Sequence, residues 1–178
     1  MKTITTAILV VSLLIAANCV KQENPTPRVS LHAAALQGSI DVIRQHIKAG
    51  SDLNEKDVYG STPLIIAITF DKTEVARALL EAGADMTITN NDGSTPLHIA
   101  ACFCRTEIVE ALLDKGADKN IRNNAGRTAL ESVTAPFEDV KGIYDSIAKA
   151  LGPLGLKLNY ERIKTTRPKI AEIIYKMK

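Results

Sequence analysis

Apolar residues return along this chain in short helical bursts separated by polar turns that contain glycine. Ile40, Val42, Ile43 and Ile47 fall at helical spacing and are closed by Ala49-Gly50. Val75, Ala78, Leu79 and Leu80 follow Glu74, and Ile108, Ala111, Leu112 and Leu113 follow Glu107, in one shared arrangement. A stripe of this period buries one side of a helix. Each burst is preceded by a more compact one: Leu31-His32-Ala33-Ala34-Ala35, Leu64-Ile65-Ile66-Ala67, and Leu97-His98-Ile99-Ala100-Ala101. Thr62-Pro63 and Thr95-Pro96 stand before the second and third of these. Threonine there is a natural N-cap, and proline in the first turn gives up only an amide that would have lacked a partner. The pattern therefore predicts pairs of short helices. Further on, Val140, Ile143, Ile147 and Leu151 predict a longer amphipathic helix stopped by Gly152-Pro153, and Ile170, Ile173, Ile174 and Met177 predict a final helix after Pro168 that packs back on the pairs.

The pairs keep a strict register. Gly60-Ser61-Thr62-Pro63-Leu64, Gly93-Ser94-Thr95-Pro96-Leu97 and the eroded Gly126-Arg127-Thr128-Ala129-Leu130 recur every 33 residues. A second marker keeps the same step: Ala49-Gly50-Ser51-Asp52, Ala82-Gly83-Ala84-Asp85 and Lys115-Gly116-Ala117-Asp118. This period, with a Thr-Pro-Leu-His core, resembles the ankyrin repeat. The resemblance implies an all-α repeat solenoid of helix-turn-helix units with β-hairpin loops, here closed by a helical C-terminal cap. The repeats are expected at 28–60, 61–93 and 94–126, a degenerate fourth at 127–152, and a basic helical extension at 153–178. In the fourth, Ala129 replaces the proline and Glu131 the histidine, so its outer face is expected to meet water.

The N-terminus changes the picture of where such a stack would work. Met1-Lys2 precedes an apolar run from Ala7 to Ala17 broken only by Ser12, the charged start and short hydrophobic centre of a bacterial-type export signal over 1–19. It is short for a membrane span. Cleavage after Ala17 or Cys19, acylation of Cys19 as in a lipoprotein, and an uncleaved anchor all fit. Acylation would follow an unusual Asn18. The polar, proline-interrupted stretch 20–27 reads as a tether. An exported chain is expected in the periplasm, secreted, or lipid-anchored to the membrane.

Overall charge is near neutral, yet residues 28–140 carry 11 Lys/Arg against 16 Asp/Glu, a net of −5, and residues 141–178 carry 9 against 3, a net of +6. Lys157, Arg162, Lys164, Arg167, Lys169, Lys176 and Lys178 make the tail basic. It reads first as a solvated helix face, and export argues against nucleic acid. No glycine-rich phosphate loop, zinc cluster or calcium loop is present, no cofactor is expected, and no nucleophile, acid pair or oxyanion arrangement accompanies the histidines. The expectation is a non-enzymatic, monomeric scaffold for a protein partner.

The resemblance gives His32 and His98 a structural task, hydrogen bonding to neighbouring turns; His46 stands in register with Leu79 and Leu112, which predicts a semi-exposed part of its helix. Cys104 stands where the repeat usually has a left-handed glycine, as at Gly38; Asp71 is the equivalent in the second repeat. In an oxidising compartment Cys102 and Cys104 suggest a strained bridge, two unpaired thiols, or a small thiol redox protein, and the last would require a depressed thiol pKa. The variable surface where this family binds maps onto Lys56, Val58, Tyr59 and Ser61, Thr69 and Phe70, Asn91, Asp92 and Ser94, Cys102 and Phe103, and Asn124 and Arg127. Tyr59, Phe70 and Phe103 are expected to form an exposed aromatic ridge, unless one or more of these rings packs under a neighbouring loop.

Overall fold

The structure, a computed structural model, describes residues 26–177. The apolar run, Cys19, Lys178 and all but the last two residues of the polar tether lie outside the described residues. The first three repeats are helix pairs: α1 (Leu31–Gln37) with α2 (Ile40–Ala49), α3 (Pro63–Thr69) with α4 (Thr73–Glu81), and α5 (Pro96–Cys102) with α6 (Thr106–Asp114). A single turn, α7 (Glu131–Thr134), opens the fourth. α8 (Phe137–Leu151), a 3₁₀ turn (Gly152–Leu154) and α9 (Tyr160–Lys176) complete the described chain.

The pairs stack in two rows. α1, α3, α5 and α7 pack in succession as the inner row, and α2, α4 and α6 as the outer row. Each helix buries the apolar face that the period assigns it: Leu64, Ala67 and Ile68 on α3, Val75, Ala76 and Leu79 on α4, Ile108, Val109 and Leu112 on α6. One cluster runs through the whole stack, so each repeat completes its core on the next.

Caps and turns set the helix starts. Thr62 and Thr95 accept a hydrogen bond at Oγ1 from the third helical amide, each at 3.4 Å. In the eroded repeat Thr128 Oγ1 accepts from the Glu131 amide at 3.2 Å, and Glu131 Oε2 accepts from the Thr128 amide at 2.9 Å. That reciprocal capping box explains how glutamate serves where the earlier repeat has histidine. The loops between pairs are tight turns, and no strand occurs among the described residues. Each turn is closed by only two backbone bonds, such as Gly60 to Asp57 and Asp57 to Ser61, too few for a ladder. The turns are instead tied to one another, the Asn91 amide donating to Tyr59 O at 3.1 Å and the Asn124 amide to Asp92 O at 3.0 Å. Gly93 has φ +70, and a Cβ there would lie 2.9 Å from the Asn124 nitrogen, so this close approach of turns requires glycine.

The C-terminal part departs from expectation. The outer helix of the fourth repeat should begin near residue 139, inside α8. The stack gives that seat to α9, which packs against α6 and α7 and buries Ile163, Ile170 and Ile174. α8 instead faces the inner helices. Chain direction explains the exchange: α7 is one turn long, and Ala135-Pro136 turns the backbone into an extended conformation before α8 can follow it. The outer face of the fourth repeat is therefore covered by protein rather than water. α9 also begins eight residues before Pro168, capped by Asn159, whose Oδ1 accepts from the Arg162 amide at 2.9 Å. Pro168 and Lys164, whose carbonyl loses its helical donor, are both exposed, so the bond is given up on the solvent side of the helix. Lys119 Nζ donates to Ile174 O at 3.1 Å and Met177 O at 2.6 Å, closing the helix at its other end.

Candidate functional site

Because α8 lies opposite the inner helices, the inner face is a walled cleft rather than an open surface. Its floor is α1, α3 and α5, its rim the turns around Asp57–Ser61 and Asn90–Asp92, and its far wall Ile147, Leu151 and Leu154. It encloses about 490 Å³. A second cleft of about 250 Å³ continues past Phe103 between α5, the turn at 123–127, and Val140, Ile143 and Tyr144 of α8.

A buried polar knot holds the wall. Tyr144 Oη donates to Cys102 O at 2.8 Å and accepts from an Arg167 nitrogen at 2.9 Å, while the other guanidinium arm donates to Ala135 O at 2.9 Å. Burial pushes the Tyr144 hydroxyl up in pKa, so it stays a neutral donor. Arg167 is thus buried among these partners and not part of a solvated basic face. Outside the knot, Phe137 stacks on Tyr144 with centroids 5.8 Å apart, and Tyr160 donates to Asp145 at 2.8 Å.

The histidines are structural. His98 Nδ1 lies 2.8 Å from Thr95 Oγ1, and Nε2 lies 2.9 Å from Arg127 O, which joins the third repeat to the fourth. His32 Nε2 approaches Glu55 O at 2.9 Å. His46 is buried rather than semi-exposed, because the segment entering the first repeat covers it: Nε2 meets Val29 O and Nδ1 meets Ser51 Oγ, each at 2.8 Å. Burial lowers the pKa of His98 from 6.5, against a smaller opposing effect of its bond to Arg127 O. A histidine depressed in the fold gives stability that is fully present above 6.5 and is lost as pH falls through the folded value, since the unfolded chain takes up the proton first. Urea midpoints are accordingly expected to fall below about pH 6.5, and His98→Gln to flatten that fall.

Cys102 and Cys104 are free thiols. Cys104 has φ +55 and Asp71 φ +59, both in the left-handed region where glycine is usual. Each has a compensation. Cys104 is buried in the core with Sγ 3.7 Å from Ile163 O, and Asp71 Oδ2 pairs with Arg105 at 2.8 Å. Burial raises both thiol pKa values, and that of Cys104, with Cys102 as a further cause, to about 11. The depressed pKa that a thiol redox centre requires is the opposite of what these surroundings produce. Alkylation of native Cys104 at pH 8 is expected to be at least about a hundredfold slower than in urea, as followed by intact mass.

The residues expected to bind a partner separate into groups. Tyr59, Ser61, Thr69, Phe70, Asn91, Asp92 and Phe103 line the larger cleft; Ser94, Cys102 and Arg127 line the smaller one with Asp92 and Phe103. Val58 and Tyr59 project from the turn tip, 86% and 70% exposed. Lys56 is exposed outside both clefts. The aromatic ridge is incomplete: Phe103 is only 6% exposed, lying where both clefts meet near Ile147 of α8 and the 157–163 segment, and Arg105 lies 5.7 Å from its ring centroid. Thr69 is buried and donates to Ile65 O at 2.9 Å. Asn91 and Asn124 spend their side-chain amides on Val58 O and Asn91 O at 3.2 and 2.9 Å, so they hold the turns together. Of the wall residues, the sequence predicts Ile147 and Leu151 only as part of the longer amphipathic helix that Gly152-Pro153 stops. Their helical spacing was visible, but nothing local to them shows that they face α1 and α3.

Among the described residues no group of ligating side chains is placed to hold a metal ion, and no helix is long and apolar enough to cross a membrane. A stack of paired helices joined by tied turns, with one concave side, defines a helical repeat solenoid. A family model described as ankyrin repeats (3 copies) matches residues 7–90 and 31–123, and the chain belongs to the ankyrin repeat family. Ankyrin repeats typically mediate protein–protein interaction, and the family is generally a non-enzymatic scaffold. No curated protein matches the chain.

Proposed function

We propose that this chain is an exported, monomeric, non-enzymatic scaffold that holds a protein partner against its inner face. The observation that carries the reading is the 490 Å³ apolar cleft, preformed by rigid helices and continued outward by exposed Val58 and Tyr59. A preformed face costs little ordering entropy on association, which favours binding. The partner sits in the periplasm, at the cell surface or in a host. Tyr59→Ala with Phe70→Ala is expected to weaken cross-linked partner capture from an envelope fraction or culture medium at least about tenfold while the circular dichroism melt is unchanged. Capture that survives both changes places the binding face elsewhere.

Export rests on the sequence of 1–19, and its test is the mass of the mature N-terminus. An acylated Cys19 means a membrane-tethered adaptor; an unmodified start after Ala17 or Cys19 means a soluble binder. Recovery of the uncleaved chain from the cytoplasm overturns export.

A further inference from the structure

The chemistry of the larger cleft narrows what it accepts. Its floor and wall are apolar, with Leu36, Ile66, Phe70 and Ile99 facing Ile147 and Leu151. Among the described residues two carboxylates line it, Asp57 and Asp92, and no lysine or arginine does. Both lie at the turn end. Asp57 Oδ1 is taken up by the Tyr59 and Ser61 amides at 2.8 Å each, which leaves its second oxygen outside the bonds of the turn. Asp92 is exposed and borders both clefts. The apolar strip does not end with the cleft. It runs out to Val58 and Tyr59 at the turn tip and, through Ile99, Phe103 and Ile147, which both clefts share, into the region where Ile143 is 52% exposed. A groove continuing in this way suits a length of chain better than a compact small molecule, whose surface a single closed pocket would enclose.

We infer that the groove takes a peptide segment with large apolar side chains and a lysine or arginine, the apolar groups lying between the inner helices and α8 and the cation meeting Asp57 and Asp92. The inference rests on the scaffold reading and specifies its partner. α8 supplies one wall of the site, so recognition depends on a helix outside the regular repeats. Charge complementarity at the turn end sets the orientation of the segment and disfavours acidic side chains there, because a carboxylate beside Asp57 and Asp92 is repelled.

The test is a phage-displayed library of random peptides of roughly twelve residues, long enough for anchors over three helical turns, selected against the full-length chain. Enriched peptides are expected to combine at least two large apolar residues with a lysine or arginine. Their affinity is expected to drop about tenfold with Leu154→Asp, and about fivefold with Asp57→Asn and Asp92→Asn together, the latter loss disappearing at high salt. Leu154 is 55% exposed, so its replacement does not burden the core, and asparagine retains the Oδ1 acceptor used by the Asp57 turn. Enrichment of acidic or uncharged peptides sensitive to Leu154→Asp overturns the basic segment and leaves the scaffold reading intact. Peptides indifferent to Leu154→Asp, or no enrichment, overturn the groove as the peptide site. A fourth outcome is concentration-dependent self-association in sedimentation that Tyr175→Ser and Leu154→Asp each abolish. Tyr175 is 77% exposed beside Lys176, and that result assigns the groove to a second copy and overturns a foreign segment.

Discussion

Arg105→Ala is expected to lower the unfolding free energy by about 2–4 kcal/mol, the range for truncating a buried charged hydrogen-bonding group. The guanidinium has three partners across a repeat boundary: Nε donates to Ile68 O and one arm to Thr69 O, each at 3.2 Å, and the other arm pairs with Asp71 at 2.8 Å. Ile68 and Thr69 end α3, where the Thr69 carbonyl lacks a backbone donor and Ile68 O has only a long bond from the Asp71 amide at 3.3 Å. Removal of Arg105 orphans Thr69 O, leaves Ile68 O with that one long bond, and leaves Asp71 in a left-handed conformation with only the more distant Arg162, at 3.8 Å, as counter-charge. The Asp71 pairing itself adds little, since that carboxylate is 44% exposed. Lysine is not expected to rescue, because an ammonium cannot span a fork of three acceptors. Asp71→Gly placed on Arg105→Ala should recover about 1 kcal/mol by relieving the backbone. Urea midpoints of the four proteins check the scheme; a loss below about 0.5 kcal/mol for Arg105→Ala refutes it.

Ile170→Ala with Ile174→Ala should cost on the order of 5 kcal/mol, at 2–5 for each buried isoleucine. Both are fully buried on α9, which covers the outer side of α6 and α7. Loss of that contact uncovers the last repeat, and a stack without a covered end tends to aggregate. Limited proteolysis is expected to cut the variant between 137 and 177 first, with the first three repeats outlasting it. Simultaneous loss of all fragments would show that the end does not open by itself.

The first three repeats were legible because local signals and the period agree there. Thr62-Pro63 and Thr95-Pro96 fix the inner helix starts, and the 33-residue step fixes the rest. Elsewhere tertiary packing decides. Pro168 reads as a helix boundary, yet the Asn159 cap starts α9 earlier and Pro168 stands in water. His46 reads as semi-exposed until Val29 O is seen over it. Phe103 reads as an anchor by its register with Phe70, but it is buried where the two clefts and the 157–163 segment meet, while Phe70 keeps part of its surface. The long-range placement of α8 makes the cleft, so the site was the less readable part: its floor follows from the repeat, and its wall does not.

The seating of α9 in place of the fourth outer helix limits how the array can lengthen. A further 33-residue unit inserted between the second and third repeats meets the same neighbours on both sides and should simply extend the floor. One added after the third would have to separate α6 from a helix that matches no repeat. Duplication within this gene can therefore change the reach of the protein from inside the stack, while its C-terminal end stays fixed in length.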